Sequence, residues 1–302
     1  MKDVSRRDFM KYCIGSAAVL GLNLTVLGKL EKALAAGSGP PIIWLNGANC
    51  TGCTVSLANL FSNNPGTTNV ADLLINTVDL AFHPNLMGAA GDLAVAQLVN
   101  AAEGPFILAV DGGIPTAFGG RTCTICTFGG REITALEAVQ HLAPRAAAVL
   151  SIGTCASFGG VPSGNPNPTG IQSVSQIAGV STINIPGCPI HPDWVVGTIA
   201  QLLAGESPSL DEDGRPKAYF GKKIHDRCPR KEEDKAKTFG IEGQCLKEVG
   251  CKGPKTKADC YSRYWNSGTN WCIGANALCI GCTENGFPDK FSPFYDREDH
   301  DD

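Results

Sequence analysis

The chain has 302 residues, 43% of them hydrophobic and 18% charged, a globular composition long enough for one large core and a smaller second unit. A formal net charge of −4, with no basic stripe along the chain, excludes a nucleic-acid binder. Fourteen cysteines exclude an ordinary cytosolic enzyme, where a stray buried thiol or two would be the expectation.

The N-terminus reads as a targeting segment. Ser5 to Lys11 follows the pattern S-R-R-x-F-M-K of a twin-arginine export signal, and Ala33-Leu34-Ala35 fits an A-x-A cleavage site. The apolar stretch between them, Tyr12 to Leu27, holds Gly15, Gly21 and Asn23 and is too short and weak for a membrane span. Residues 1–35 are therefore expected to be removed as a signal peptide, leaving 19 basic and 26 acidic residues and no span in the mature chain. The tail "DREDHDD" reads as a solvated acidic end. The twin-arginine route carries folded proteins, usually because a cofactor has already been inserted. Export signal and cysteine count together thus favour a metal over disulfides.

From residue 41 to about 205 short apolar runs alternate with helix-length segments. The runs "PIIWLNG" (41–47), "DLLINTVDLAF" (72–82), "PFILAVDGG" (105–113), "AAAVLSIG" (146–153) and "VSTINIPG" (180–187) read as buried parallel strands. Helices are expected over 91–103, 131–143 and 192–205. This alternation predicts an α/β fold, a flavodoxin-like doubly wound parallel sheet, whose ligands sit beyond the carboxyl ends of the strands. Beyond "SPSLDEDGRPKAYFG" (207–221) the chain becomes Lys-, Gly- and Cys-rich with little apolar periodicity. That composition predicts a small irregular domain that needs disulfides or metal for cohesion. The expected division is 1–35 signal peptide, 36–206 flavodoxin-like domain and 207–302 C-terminal cluster domain.

Three cysteine groups follow from the spacing. Cys50 and Cys53 come after the first strand, and Cys155 and Cys188 after two later ones, so four thiols converge on one rim of the sheet. The neighbouring Gly52, Gly153 and Gly187 would let the backbone pass close to a bulky ligand. The second group is His225, Cys228, Cys245 and Cys251, whose spacings suit a Cys3His zinc site nearly as well as a cluster. The third is Cys260, Cys272, Cys279 and Cys282. Cys13 leaves with the signal, and Cys123 and Cys126 remain without a role. His83, His141, His191 and His300 read as ordinary surface histidines.

"IIWLNGANCTGC", "GTCASFGG", "PGCPIHPDW", "CLKEVGCKGPKTKADC" and "CIGC", in that order, resemble the small subunit of exported [NiFe] and [NiFeSe] hydrogenases. The resemblance covers essentially the whole mature chain. It implies three iron–sulfur clusters: a proximal [4Fe-4S] on Cys50, Cys53, Cys155 and Cys188, a distal [4Fe-4S] on His225, Cys228, Cys245 and Cys251, and a medial cluster on Cys260, Cys279 and Cys282. The most familiar members hold a medial [3Fe-4S] and carry proline where this chain has Cys272, so a fourth ligand here implies a medial [4Fe-4S]. Asn49 departs from the glutamate of many members. Gly52 and Gly160 stand where oxygen-tolerant members have extra cysteines.

The implied activity is that of a hydrogenase, an oxidoreductase acting on H2. The partner large subunit would hold the Ni–Fe centre, this chain would carry no catalytic residue of its own, and electrons would leave to a soluble multihaem cytochrome c in the periplasm. The runner-up readings are the iron–sulfur subunit of a related exported oxidoreductase and a disulfide-stapled secreted binding protein.

Overall fold

A computed structural model describes residues 6–18, 20–36, 40–60 and 79–294. Ser5 of the export motif, the first part of the second expected strand (72–78) and the whole acidic tail with His300 lie outside the described residues. Two helices, α1 (Arg6–Gly15) and α2 (Leu24–Ala36), precede β1 (Ile42–Asn46), followed by α3 (Gly52–Ala58), β2 (Leu80–Phe82), α4 (Asp92–Ala101), β3 (Ile107–Asp111) and β4 (Ile114–Pro115). The strands β5 (Thr124–Phe128) and β6 (Arg131–Thr134) lead into α5 (Ala135–Leu142). Then come β7 (Ala148–Ile152), α6 (Gly153–Phe158), β8 (Ile171–Gln172), α7 (Val174–Ala178), β9 (Ile183–Ile185), α8 (Pro192–Leu203), α9 (Lys217–Phe220) and α10 (Cys260–Arg263).

Five strands form one sheet in the order β2-β1-β3-β7-β9, all neighbours parallel. This is the flavodoxin-like order, with its topological switch between β1 and β3. Both faces are buried, which is why the strands read as unbroken apolar runs. Ile42, Trp44, Ile107 and Ala109 point to one core, while Ile43, Leu45, Leu108 and Val110 point to the other with α4 and α5.

The expected helix over 131–143 starts later, at Ala135. Arg131–Thr134 is instead a strand, paired with Thr124–Phe128 across Gly129 and Gly130, both at positive φ as a tight hairpin turn requires. Thr134 then starts the helix. Its hydroxyl accepts from the Glu137 backbone N–H at 3.1 Å, and the Glu137 carboxylate accepts from the Thr134 N–H at 3.0 Å, a capping box.

The C-terminal region does not stand apart. Ile224, Val249, Trp271, Ile273 and Leu278 join the same apolar cluster as Ile42 and Trp44. The region therefore shares the sheet's core, a connection the thin local periodicity concealed. The N-terminal helices share that cluster too. Cys13, Leu20 and Leu30 are fully buried with Trp194, Val195 and Ile199 of α8, and the Tyr219 hydroxyl donates to the Leu20 carbonyl at 2.8 Å. No helix among the described residues is long and apolar enough to cross a membrane.

Candidate metal centres

The first group forms at the carboxyl ends of β1, β7 and β9. Cys53 sits in the first turn of α3, Cys155 in α6 and Cys188 in the loop after β9. The four thiols lie within electrostatic reach of one another. Burial pushes the Cys53 thiol well up, and Asp111, Cys155 and Cys188 add to it. Cys155 is pushed up to about 12 by burial first and then by Cys188, Asp111 and Cys50. Cys188 rises through burial and Cys50. Thiolates gathered this way are costly until a cation shares their charge.

The backbone around them is shaped for a bulky occupant. Gly153 lies at φ +81°, and a Cβ there would stand 2.6 Å from the Cys53 sulfur. Gly160 lies at φ +56°, and its Cβ would stand 2.9 Å from the Cys155 sulfur. A methyl at Gly153 would therefore push a ligand sulfur out of place as well as strain the turn. Gly153→Ala is expected to cost the site its cluster, read as a loss of about four iron atoms per chain with the other two sites retained. Full iron content in that variant would show that the close approach is incidental.

In the second group Cys228, Cys245 and Cys251 are buried together. Burial raises Cys228 and Cys251, with Cys245 adding to both. His225 is half-buried on a short turn. Its backbone N–H donates to Gly253 at 3.2 Å, and its carbonyl accepts from the Cys228 N–H at 3.3 Å. Burial, then Lys247 and Lys231, lower its pKa, which keeps the imidazole neutral and able to ligate. The structure thus ties the three thiols to one another and His225 to them through the backbone.

In the third group Cys260 and Cys279 are buried, Cys282 is half-buried and Cys272 is exposed. Burial pushes Cys260 well up, with Cys282, Cys279, Asp259 and Cys272 adding to it, and Cys282 rises to about 12 through burial, Cys272 and Cys188. Cys279 also rises through burial, with Cys251 the next cause. Charge is therefore felt between groups in two pairs, Cys282 with Cys188 and Cys279 with Cys251. The Lys252 N–H, beside Cys251, donates to the Cys279 carbonyl at 2.8 Å. The groups lie in a row, first, third, second.

Among the described residues, no three or more His, Cys, Asp or Glu side chains converge at the spacing of a single metal ion. Zinc draws four ligands onto one atom, whereas a cubane spreads them over separate irons. The thiolate-rich donor sets and the Gly153 and Gly160 cradle fit clusters. All fourteen cysteines are free thiols, which disfavours the disulfide-stapled reading.

Cys123 and Cys126 lie on the β5–β6 hairpin, half-buried, away from the three groups. Cys123 Sγ approaches the Asn46 carbonyl at 3.8 Å, and burial alone raises both thiols. Sequence reasoning missed Asp111, whose carboxylate ends the apolar run of β3 beside Cys53. It is 2% exposed and held at about 6 by burial, with the Thr54 hydroxyl donating to it at 3.4 Å. The acid in "LAVDGG", closing a strand buried on both faces, was the available signal. The expectation of ordinary surface histidines fails for His191 and His83, which are buried: His191 Nε2 lies 2.6 Å from the Tyr264 carbonyl, and His83 stacks on Trp44 at 5.0 Å.

Fold and donor chemistry together define an α/β protein built around clustered thiolates. Comparison with known proteins sharpens this. The family model for NADH ubiquinone oxidoreductase, 20 Kd subunit, matches residues 50–202, and the C-terminal family model of the NiFe/NiFeSe hydrogenase small subunit matches residues 220–295. The periplasmic [NiFeSe] hydrogenase small subunit of Desulfomicrobium baculatum is 40% identical over 98% of this chain and 99% of its own length. The periplasmic [NiFe] hydrogenase small subunit of Solidesulfovibrio fructosivorans is 38% identical over 97% of this chain and 93% of its own. The structure of recombinant [NiFeSe] hydrogenase from Desulfovibrio vulgaris Hildenborough matches with TM-score 0.79 and 40% identity, over 86% of this chain and 98% of that one.

The chain belongs to the family of [NiFe]/[NiFeSe] hydrogenase small subunits. The first half is shared with the oxidoreductase subunit family, which is why the runner-up could not be excluded from Cys50 to Cys188 alone. The match over 220–295 separates the two.

Proposed function

We propose that the chain is the electron-relay subunit of an exported uptake hydrogenase, whose large subunit holds the Ni–Fe or Ni–Fe–Se centre. The observation that carries this is the row of thiols, tied by the Thr154 hydroxyl on the Cys282 carbonyl and by the Lys252 N–H, beside Cys251, on the Cys279 carbonyl. When bound, clusters on the three sets would supply one-electron transfer. The chain's residues would do the rest. Cys50, Cys53, Cys155 and Cys188 would hold the proximal [4Fe-4S] facing the large subunit; Cys260, Cys272, Cys279 and Cys282 the medial one; and His225, Cys228, Cys245 and Cys251 the distal one. Half-buried His225 would mark the exit to a periplasmic acceptor such as a multihaem cytochrome c. The proposed division is a leader over 1–35, removed on twin-arginine export, a flavodoxin-like unit over 36–206 and a cluster unit over 207–302.

Iron and acid-labile sulfide in the purified protein test the reading. About twelve iron atoms per chain are expected for three cubanes, and an iron-free, fully folded chain would sink it. The exit has its own test. His225→Ala should slow electron delivery to a cytochrome far more than H/D exchange in the complex, because exchange needs only the large subunit's site. Equal loss of both would place the histidine off the path.

A further inference from the structure

Thr154 is fully buried between two of the proposed cluster sites. It precedes Cys155, and its hydroxyl accepts from the Gly187 backbone N–H at 2.9 Å, the residue before Cys188. The Thr154 N–H returns a bond to the Gly187 carbonyl at 3.1 Å. The same hydroxyl donates to the carbonyl of Cys282, a ligand of the third set. One side chain therefore joins two loops of the proximal set and a ligand residue of the medial set.

We infer that Thr154 is a positioning residue that clamps Cys282 onto the proximal loops and so fixes the separation and orientation of the proximal and medial clusters. The inference rests on the proposal that those two sets hold clusters. Its physical basis is the cost of leaving the Cys282 carbonyl and the Gly187 N–H buried without partners. With the clamp gone, the Cys282 segment is free to draw away from the Gly187–Cys188 loop, which would change the spacing of the two clusters and the surroundings that tune them.

The test compares Thr154→Val, which keeps the shape and removes the hydroxyl, with Thr154→Ser, which keeps the hydroxyl, in the purified heterodimer with the large subunit. Two readings are taken: the magnetic interaction between reduced proximal and medial clusters by EPR, and the rate at which each cluster loses iron to a chelator. Thr154→Val is expected to change the interaction and to speed medial iron loss roughly tenfold, with distal loss unchanged, while Thr154→Ser matches wild type. If Thr154→Val does not assemble, Thr154→Ala carries the same expectation. A wild-type interaction in the hydroxyl-free variant, or Thr154→Ser as damaged as Thr154→Val, overturns the clamp. A wild-type heterodimer without iron at these sites would fail the proposed function instead.

Discussion

Arg215→Ala is expected to destabilise the fold by about 3–5 kcal/mol, the usual result of removing one partner from a buried ionic group. The Arg215 side chain is 0% exposed. Its Nε donates to Asp211 at 2.9 Å, and its Nη1 meets Glu284 at 3.0 Å and the Thr283 carbonyl at 3.1 Å. Nη2 stands 3.2 Å from Asp213 as a charge contact rather than a hydrogen bond. The guanidinium also lies 5.7 Å from the centre of the Phe220 ring. Without it three carboxylates would face one another, with Asp211 and Glu284 only 8% and 11% exposed. Glu284 already shows the strain: burial raises its pKa even with Arg215 beside it. Because Thr283 and Glu284 follow Cys282, the damage should reach the third cysteine set as well. Arg215→Ala is thus expected to lower the unfolding midpoint and to release medial iron before distal iron. A loss under about 1 kcal/mol, the value of an exposed pair, would show that water relieves the carboxylates.

The sheet was legible because strands buried on both faces leave unbroken apolar runs, and Ile42–Asn46, Ile107–Asp111 and Ala148–Ile152 each closed on a glycine-bearing turn. The four cysteines of the first set were legible for the same reason, since a strand end fixes where the next residues project. Arg131–Thr134 was not, because "REITALEAV" continues an acceptable helical pattern upstream of its true cap. Only the pairing partner across Gly129-Gly130 decides it. The common core of the two regions was hidden by distance in sequence. Trp271 and Ile273 look isolated where they stand, yet they belong to the same apolar cluster as Ile42 and Trp44, more than two hundred residues earlier. The order of the cysteine sets was hidden too. Spacing groups cysteines along the chain, but which set meets which depends on loop paths, and those were fixed by bonds such as Thr154 to Cys282 that no periodicity announces.

Cys272→Pro is expected to convert the medial site from four irons to three. Cys272 is an exposed residue at the edge of the third set, and its charge is felt at both Cys260 and Cys282. Its carbonyl accepts from the Ala277 N–H at 2.9 Å, closing a turn that carries the chain back toward Cys279. Trp271, 6% exposed, anchors the residue before it in the core. A thiol on so short a tether, with three thiols beyond it, is placed to take the corner of a cubane that would otherwise lack a protein ligand. Proline removes that sulfur while leaving the other three, and the unligated iron would be lost. Its missing N–H costs little, because that N–H serves only the residue's own sulfur. Oxidised wild-type protein should then lack the near-isotropic EPR signal of a three-iron cluster. The variant should show that signal at close to one spin per chain, with about one iron atom fewer. A stoichiometric three-iron signal in undamaged wild type, unchanged by the substitution, would place Cys272 outside the cluster.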